Sequence, residues 1–347
     1  MGTTMKDIAK IAGVSTNTVS RALNGKPEIS RETKKRIEEI AKSLNFTPNG
    51  LAASLASRKT KMIGLVIPDI TDPFFAQQAR GIEDTARAEG FSVIIINTDG
   101  NPEAELKAIN NFRSIRVAGI ILTSVFSGTQ HIKLLQEQQI PFILLNRWLP
   151  LIDTDYVIND NFAGAYEATK YLIQIGHTKI AFILGTPELT SVQERLKGYI
   201  QALKEANIPV IKDLIVYTRN LSPQSGELHT KQLLSVIPRP TAIFAYCDLL
   251  ALGVYAAVKA SNLSIPEDIA LVGYDDISFS AYFEVPLTSV AQPSYQMGQT
   301  ACEIVIERIK NIREESESNI QYNDIPKKHI VFKPQLVIRK SCGAYLK

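Results

Sequence analysis

Short polar side chains crowd the start of one predicted helix near the N-terminus. They are Thr16, Asn17, Thr18, Ser20 and Arg21. Hydroxyl, amide and guanidinium groups of this kind reach base edges and phosphates when a helix lies in the major groove of DNA. The group therefore indicates a DNA-reading surface. The plainer interpretation is the solvated face of a small helical bundle.

A second set of polar residues lies further along the chain, where each member follows an apolar run or opens a predicted helix. The members are Asp69, Asp72, Asn146, Arg147, Asp160, Arg195, Asp248, Asp275 and Asp276. Carboxylates and a guanidinium can fix the hydroxyls of a sugar, and aromatic rings can cover its apolar face. Helix capping or surface exposure is the preferred interpretation of four of them, namely Asp72, Asp160, Asp248 and Asp276. The others indicate a pocket for a small polar molecule.

Motifs for catalysis and for metal binding are missing from the sequence. It has no Gly-rich phosphate loop and no Gly-x-Ser-x-Gly nucleophile motif, and its four histidines lack metal-ligand spacing. The three cysteines, Cys247, Cys302 and Cys342, are odd in number and widely spaced, which favours a reducing compartment. We therefore expect no catalytic residue, no cofactor and no metal.

Charge is distributed unevenly along the 347 residues. Residues 1–61 carry 12 Lys and Arg against 5 Asp and Glu, whereas the remaining residues carry 26 against 30. A basic head on a mildly acidic body fits a polyanion that only the head touches. No apolar run is long enough to span a bilayer and no signal peptide is evident, so we expect a cytoplasmic protein without membrane contact.

Three short helices are expected to position the N-terminal polar group. Thr4 can cap the first helix and Ser15 the second, while Gly13 can adopt the positive φ of a tight turn. A third helix is expected to start near Ser30, with Ile37 on its apolar face. This order is typical of a helix-turn-helix fold.

Apolar runs alternate with amphipathic helices from Met62 onward. Strands are expected at residues 62–68, 91–98, 118–124, 141–146, 156–159, 180–185, 214–217, 242–246 and 269–274, and a last one at Ile330–Arg339. The alternation is typical of an α/β body with two doubly wound, parallel-sheet subdomains, which bind ligands at the carboxyl ends of strands. We expect hinge-forming crossovers near Asn159–Asn161, Gln292–Pro293 and Ile320–Ile325.

The segment from Thr4 to Leu55 resembles the DNA-binding head of the LacI–GalR family of bacterial repressors, and the resemblance continues to about Arg339. It is carried by Ile8-Ala9, Ala12-Gly13-Val14-Ser15, Thr18-Val19-Ser20-Arg21, Asn24, Ile29-Ser30, Thr33, Ile37, Leu44, Pro48-Asn49 and Ala52-Ala53-Ser54-Leu55. It implies an all-α helix-turn-helix head at 1–48, a hinge helix and linker at 49–61, and an effector-binding and dimerisation body at 62–347, similar to periplasmic binding proteins. The expected N-subdomain covers about 62–159 and 293–321, and the C-subdomain about 160–292 and 322–340.

The resemblance also implies roles for residues of the head. Thr16, Asn17 and Arg21 would read bases. Positions near phosphates would be Thr4, Ser15, Thr18, Ser20, Asn24, Ser30 and Thr33. The hinge helix, with Asn49 and Ala52, would form on DNA, and Leu55 would wedge into the minor groove. The alternative is that Leu55 packs on the head.

Two hinge residues depart from the family pattern. Gly50 lowers helix propensity by about 1 kcal/mol relative to Ala, and Ala53 stands where several relatives carry Arg or Gln. We therefore expect a hinge that depends strongly on DNA for its folding.

For the body, the resemblance implies a set of residues that face an effector. They are Phe74, Phe75, Asn146, Ser191, Arg195, Leu221, Cys247 and Asp275. Leu221 stands where an aromatic is common, and Leu189 replaces the arginine of purine-sensing members. These features favour a sugar or sugar derivative over a purine.

The expected function is therefore a DNA-binding transcriptional regulator, a repressor controlled by a small molecule. One head has a small footprint, so we expect a homodimer on a palindromic operator. The sequence contains no leucine heptad of the kind that forms tetramers in some relatives, so we do not expect a tetramer. A periplasmic sugar-binding protein would carry a signal peptide and no head, and an α/β enzyme would carry a catalytic set. Steeply salt-dependent binding to palindromic DNA would separate the regulator from both.

Overall fold

The computed structural model describes residues 3–23, 29–44, 46, 60–123, 130–150, 152–314 and 322–344. The chain divides into two compact units, Met1–Thr60 and Lys61–Lys347. We call them the head and the body and describe each by itself.

The head contains the three helices that the sequence pattern predicts. They are α1 (Met5–Ala12), α2 (Thr16–Leu23) and α3 (Arg31–Ser43). Gly13 ends α1 with a φ of 66°, in the left-handed region where glycine has no Cβ to clash. The core is small and apolar, and consists of Ile8, Ala9, Ala12, Val19, Ala22, Ile37 and Ala41.

The expected helix caps are confirmed in the head. The amide and the hydroxyl of Thr4 both donate to Asp7 Oδ2, over 2.8 and 2.7 Å. Ser15 Oγ accepts a hydrogen bond from the Thr18 amide at 3.1 Å, and Ser30 Oγ accepts one from the Thr33 amide at 3.2 Å. These bonds satisfy amides that the first turn of a helix leaves unpaired.

The body contains strands and helices in alternation. Its strands are β1 (Met62–Ile67), β2 (Ser92–Asn97), β3 (Gly119–Leu122), β4 (Phe142–Leu145), β5 (Tyr156–Asn159), β6 (Ile180–Leu184), β7 (Ile215–Tyr217), β8 (Ala242–Ala245), β9 (Ala270–Asp275), β10 (Thr288–Ala291), β11 (His329–Phe332) and β12 (Gln335–Val337). Its helices are α4 (Pro73–Ala88), α5 (Pro102–Ser114), α6 (Gln130–Glu137), α7 (Asn161–Gln174), α8 (Thr190–Glu205), α9 (Pro223–Leu234), α10 (Asp248–Ala260) and α11 (Ser294–Glu314). The nine strands expected between residues 62 and 274 are confirmed.

Two six-stranded sheets organise these elements. The first has the order β11-β5-β4-β3-β1-β2 and the second has the order β12-β10-β9-β8-β6-β7. Neighbouring strands are parallel, except that β12 runs antiparallel to β10. The central strands β3, β4, β6 and β8 are buried along their whole length, because helices cover both faces of each sheet. We call the first sheet with its helices the N-subdomain and the second the C-subdomain.

The C-terminal segment differs from the sequence expectation. Residues 330–339 were expected to form one strand, but β11 pairs with β5 in the N-subdomain and β12 pairs with β10 in the C-subdomain. Pro334 lies between them, where it cannot donate to a strand ladder. The crossover expected near Ile320–Ile325 lies instead at residues 333–334, and residues 322–332 do not belong to the C-subdomain.

A buried ion pair explains why the segment before β11 stays with the N-subdomain. Arg308 on α11 donates to Asp155 through Nε at 3.0 Å and through Nη2 at 2.8 Å, and both side chains are almost fully buried. The Lys328 amide and the Tyr322 hydroxyl also donate to the Asp155 carboxylate, at 2.7 and 3.3 Å. These contacts join residues more than 150 positions apart, so a local sequence pattern could not predict them.

Candidate functional site

A cleft of about 750 Å³ lies between the two subdomains of the body. Residues that directly follow strands line it, including Pro68 after β1, Thr123 after β3 and Tyr246 after β8. The volume falls within the range of about 300–1,000 Å³ that small-molecule sites occupy. The position, at the carboxyl ends of parallel strands, is where α/β sheets bind ligands.

All eight residues expected to face an effector line this one cleft. They are Phe74, Phe75, Asn146, Ser191, Arg195, Leu221, Cys247 and Asp275. The first three belong to the N-subdomain and the other five to the C-subdomain. A ligand in the cleft would therefore contact both subdomains, while the role of each residue in binding stays a prediction.

Arg195 on α8 is held in one orientation, with 4% of its surface exposed. Its Cζ lies 3.4 Å from the ring centroid of Tyr274 and 4.2 Å from that of Tyr246. Nε donates to Asn161 Oδ1 at 2.8 Å, and Nη1 donates to the main-chain oxygen of Tyr246. Nη2 has no hydrogen-bond partner among the described residues, so it can donate to a ligand.

Asp275 at the end of β9 supplies a carboxyl group beside this guanidinium. Its backbone has a φ of 108°, a conformation that is strained for residues other than glycine. Gln292 Nε2 donates to Oδ1 at 2.6 Å, and Oδ2 has no partner among the described residues. Burial raises the pKa of Asp275 well above its usual range, Arg195 acts to lower it, and Asp248 raises it further. The free oxygen can exchange hydrogen bonds with a hydroxyl group of a ligand.

Asn146 forms part of the N-subdomain wall, and its amide is already engaged. Gln78 on α4 donates to Asn146 Oδ1 at 2.6 Å, and Asn146 Nδ2 donates to Gln78 Oε1 at 2.8 Å. Asn146 adopts a φ of 71°, a left-handed conformation that asparagine tolerates better than most residues. The pair fixes the amide, which retains one donor and one acceptor position for a ligand.

The capping interpretation is confirmed for two of the four aspartates. Asp72 caps α4 by accepting from the Phe74 amide at 2.9 Å, and Asp160 caps α7 by accepting from the Ala163 amide at 2.9 Å. Asp72 also lines the cleft, and burial raises its pKa to about 6. Asp72 therefore both caps α4 and lines the cleft.

The same interpretation is wrong for Asp248, whereas Asp276 caps no described helix but keeps a partly exposed charge. Asp248 is fully buried, and it accepts hydrogen bonds from the Ile277 amide and from the hydroxyls of Ser280 and Ser289. These bonds fasten the loop after β9 and the strand β10 to the start of α10. Asp276 forms a partly buried ion pair with Arg339 at 2.6 Å. Both residues hold the C-subdomain together rather than capping a helix.

Polar residues that the sequence-based site omits also line the cleft. They include Asn161, Arg219, Tyr246 and Gln292. Arg147, a member of the strand-end set, lines the cleft as that set predicts. Tyr246 directly follows β8, so the strand-end rule could have found it as well. Burial lowers the pKa of Arg147 to about 10, while Glu105 acts to raise it. The amide side chains of Asn161 and Gln292 lie where the chain crosses between the subdomains.

The head presents its expected reading residues at the surface. Thr16, Asn17 and Arg21 on α2 are exposed, as are the expected phosphate-contacting residues Thr4, Ser15 and Ser30. The other three described members of the phosphate set, Thr18, Ser20 and Thr33, are half-buried. Asn24, Asn49, Ala52 and Leu55 lie outside the described residues, as does nearly all of the expected hinge helix. The DNA contacts stay predictions.

Two further observations bear on the kind of site. No cluster of three or more His, Cys, Asp or Glu side chains suited to a metal ion occurs in the described ranges. In the same ranges, no helix combines the length and the apolar character needed to cross a membrane.

Comparison with known proteins defines the class to which this head and body belong. Residues 4–49 match the family described as "Bacterial regulatory proteins, lacI family", and residues 60–329 match "Periplasmic binding proteins and sugar binding domain of LacI family". The chain belongs to the LacI family. Its fold and its class, a transcriptional regulator rather than an enzyme, are confirmed by this match and by the relatives it resembles.

Three similar proteins illustrate the match. The HTH-type transcriptional regulator DegA of Bacillus subtilis is 36% identical, over 98% of this chain and 98% of its own length. The ribose operon repressor of Haemophilus influenzae is 34% identical, over 97% and 98%. A structure described as the lac repressor dimer bound to operator and the anti-inducer ONPF has a TM-score of 0.83 at 26% identity, covering 99% of both chains.

Proposed function

We propose that this protein is a repressor that binds a palindromic operator as a homodimer and that a sugar bound in the cleft controls its affinity for DNA. The observation that carries the proposal is the arrangement around Arg195. A buried, doubly stacked guanidinium with a free Nη2 faces the cleft beside the carboxyl group of Asp275. The same chain carries a helix-turn-helix head.

The head would read DNA through α2. Thr16, Asn17 and Arg21 would contact base edges in the major groove, and the hydroxyl groups around them would contact phosphates. Two heads related by a two-fold axis would read half-sites about one helical turn apart. Leu55 would wedge into the minor groove between the half-sites.

The cleft suits a polyhydroxylated ligand. Arg195 Nη2 and Asp275 Oδ2 offer a donor and an acceptor in the same cleft, which suits the hydroxyl groups of a sugar. Phe74 and Phe75 contribute aromatic surface for the apolar face of such a ring. Leu189 stands at the position where purine-sensing members have arginine, and a relative is named for the ribose operon. These features support a sugar over a purine.

Control of DNA binding would follow from the two-subdomain cleft. A ligand that contacts both subdomains favours one angle between them, and this angle would set the separation of the two hinges in a dimer. A coupling free energy of about 1–3 kcal/mol would change operator affinity roughly 5- to 150-fold.

The test uses the full-length protein and labelled DNA from the region upstream of its gene. Fluorescence anisotropy should show tight binding to a palindromic segment, with a steep negative slope of log K against log salt concentration. D-ribose, D-galactose and hypoxanthine are then added as probes. A sugar should change the affinity and hypoxanthine should not. A response to hypoxanthine alone would reject the sugar, and binding without salt dependence would reject the DNA-binding role.

Two variants test the roles proposed for Arg195 and Leu55. Arg195→Ala should abolish the response to the sugar, while the variant still binds the operator. Leu55→Ala should weaken binding to the operator while sparing binding to random DNA, because only the kinked complex uses the wedge. Equal losses on both DNAs would contradict the wedge role.

A further inference from the structure

A closed cycle of contacts joins Arg195 to the first crossover between the subdomains. Arg195 Nε donates to Asn161 Oδ1 at 2.8 Å, and Asn161 Nδ2 donates to the main-chain oxygen of Asn159 at 3.0 Å. Asn159 Nδ2 donates to the Tyr274 hydroxyl at 3.1 Å, and the Tyr274 ring lies against the Arg195 guanidinium. We call these four residues the crossover cycle.

The members of the crossover cycle belong to different subdomains. Asn159 is the last residue of β5 in the N-subdomain, and Asn161 is the first residue of α7 in the C-subdomain. A rotation of one subdomain against the other must be absorbed by a few backbone dihedral angles in the crossovers. The crossover cycle therefore connects the residues that absorb the rotation to the guanidinium that faces the cleft.

The amide of Asn159 is only half satisfied in this arrangement. The residue is 2% exposed, and its Oδ1 has no hydrogen-bond partner among the described residues. Exchanging the positions of the amide oxygen and nitrogen would leave the other end unpaired instead. A buried polar group without a partner disfavours the arrangement that contains it relative to one in which it is paired. Its single side-chain bond, to Tyr274, is what holds the Asn159 amide in place.

The second crossover is tied to the cleft in a similar way. Gln292 directly follows β10 and precedes α11, and its Nε2 donates to Asp275 Oδ1 at 2.6 Å. Asp275 is the neighbour of Tyr274 on β9. Two of the three crossovers thus contribute a side-chain amide that bonds a residue beside the ligand position.

We propose that the crossover cycle couples occupancy of the cleft to the angle between the subdomains, with Tyr274 as its positioning residue. Tyr274 is fully buried and does not line the cleft, so it acts on a ligand only through Arg195 and Asn159. The inference rests on the proposed function, because it requires a ligand that favours one angle between the subdomains.

The single tryptophan of the chain provides a measurement that needs no ligand. Trp148 lines a smaller cavity of about 260 Å³ beside Asn159, and Glu194 of the C-subdomain lines the same cavity. Quenching of its fluorescence by acrylamide in the full-length protein reports how far the crevice between the subdomains opens.

Three variants make the measurement specific. Tyr274→Phe removes the hydroxyl that holds Asn159 but keeps the ring against Arg195, and Asn161→Ala breaks the crossover cycle at another point. Tyr199→Phe is the matched control, because this buried hydroxyl donates at 2.7 Å to the main-chain oxygen of Ile180 within the C-subdomain. Thermal unfolding followed by circular dichroism verifies that each variant is folded.

Tyr274→Phe and Asn161→Ala should each raise the acrylamide quenching constant by about twofold or more, because either change shifts the population toward open forms. Tyr199→Phe should quench like the unmodified protein. The double variant should quench no more than the stronger single variant, because both changes break the same cycle.

Equal quenching of Tyr274→Phe and the unmodified protein would overturn the proposal, as would additive effects in the double variant. If one variant fails to fold, the other decides the result alone. Unchanged quenching together with a normal sugar response would reject the crossover cycle and leave the proposed function standing. A missing sugar response in the unmodified protein would reject sugar control independently of the quenching result.

Discussion

The head and the body use polar side chains in opposite ways. Between Thr3 and Phe46, the buried residues among those described are all apolar, and the expected DNA-reading groups lie at the surface. The body buries aspartates, arginines and amides in its interior, including Asp155, Asp248 and Arg195. The head exposes its expected reading residues Thr16, Asn17 and Arg21, whereas the body fixes its polar groups before any ligand arrives.

This difference has consequences for specificity and for stability. Side chains fixed by hydrogen bonds and stacking lose little conformational entropy when a ligand binds, so the cleft is preorganised. Exposed side chains such as Thr16 and Asn17 would lose conformational freedom on binding if they contact DNA as proposed. Buried polar groups also make the stability of the body sensitive to single substitutions and to pH, and the head should lack that sensitivity.

The largest effect is expected from breaking the buried ion pair of the body. Asp155→Asn leaves the Arg308 guanidinium buried without its counter-charge, which costs about 3–5 kcal/mol of unfolding free energy. Urea unfolding followed by Trp148 fluorescence measures the loss in the body alone, because residues 1–61 contain neither tryptophan nor tyrosine.

A neighbouring ion pair provides the control for Asp155→Asn. Glu307 pairs with Lys328 at the surface, where both side chains are about 40% exposed. Glu307→Gln should cost less than about 1 kcal/mol, because solvent screens exposed pairs. Similar losses for the two variants would contradict the claim that burial makes the difference.

The second effect is the dependence of stability on pH. Its sign is opposite to that of a salt-bridged carboxylate, which stabilises the folded state as pH rises. Burial raises the pKa of Asp72 from 3.8 to about 6. Below about pH 3 the carboxyl is protonated in both the folded and the unfolded protein. Between about pH 4 and pH 6 the unfolded form ionises first, so the folded state loses stability as pH rises.

Asp72→Asn isolates this contribution, because asparagine can still cap α4. At pH 7 the variant should be more stable than the unmodified protein by on the order of 2–3 kcal/mol, and at pH 4 this difference should fall below about 1 kcal/mol. Urea midpoints measured from pH 4 to pH 7 give the difference. A constant difference across this range would show that the carboxyl does not titrate as described.

Local signals account for what the sequence could predict. Gly13, Ser15 and Ser30 act through their immediate neighbours, so the three helices of the head could be placed from the sequence. The buried strands of the body could be placed in the same way. Pro334 was a local signal too, but the apolar residues on both sides of it favoured one long strand.

The remaining contacts join positions far apart in the chain. Gln78 meets Asn146, and Asp155 meets Arg308, only because the sheets bring their elements together. The three donors to Asp248 come from a loop and a strand about 30–40 residues later. The strand-end rule could therefore predict which residues line the cleft, but not which of them were already bonded.

A third prediction tests Arg21, an exposed reading residue of the head. Arg21→Ala should weaken operator binding by about 1–3 kcal/mol and relax the choice of base at one position, since a guanidinium that contacts a base edge carries that discrimination. Anisotropy with single-base variants of the operator gives the measurement. A loss of the same size on every DNA would assign Arg21 to a phosphate instead.

The smallest effect is expected at the cap of α2. Ser15→Ala removes the oxygen that accepts from the Thr18 amide, which costs about 1 kcal/mol of helix stability. Faster hydrogen exchange in peptides from residues 3–23, measured by mass spectrometry, would report this loss. The unfolding of the body, followed through Trp148, should not change.

Ser30→Ala removes the matching cap of α3, whose oxygen accepts from the Thr33 amide, and serves as the companion variant. Both substitutions should accelerate hydrogen exchange in the head to a similar extent, because in each cap a serine oxygen accepts from the amide three residues later. If either one also lowers the urea midpoint of the body, then the stability of the body depends on the head. In that case the head and the body would still differ in where their polar groups lie, exposed in the head and buried in the body, but their stabilities would not be independent of each other.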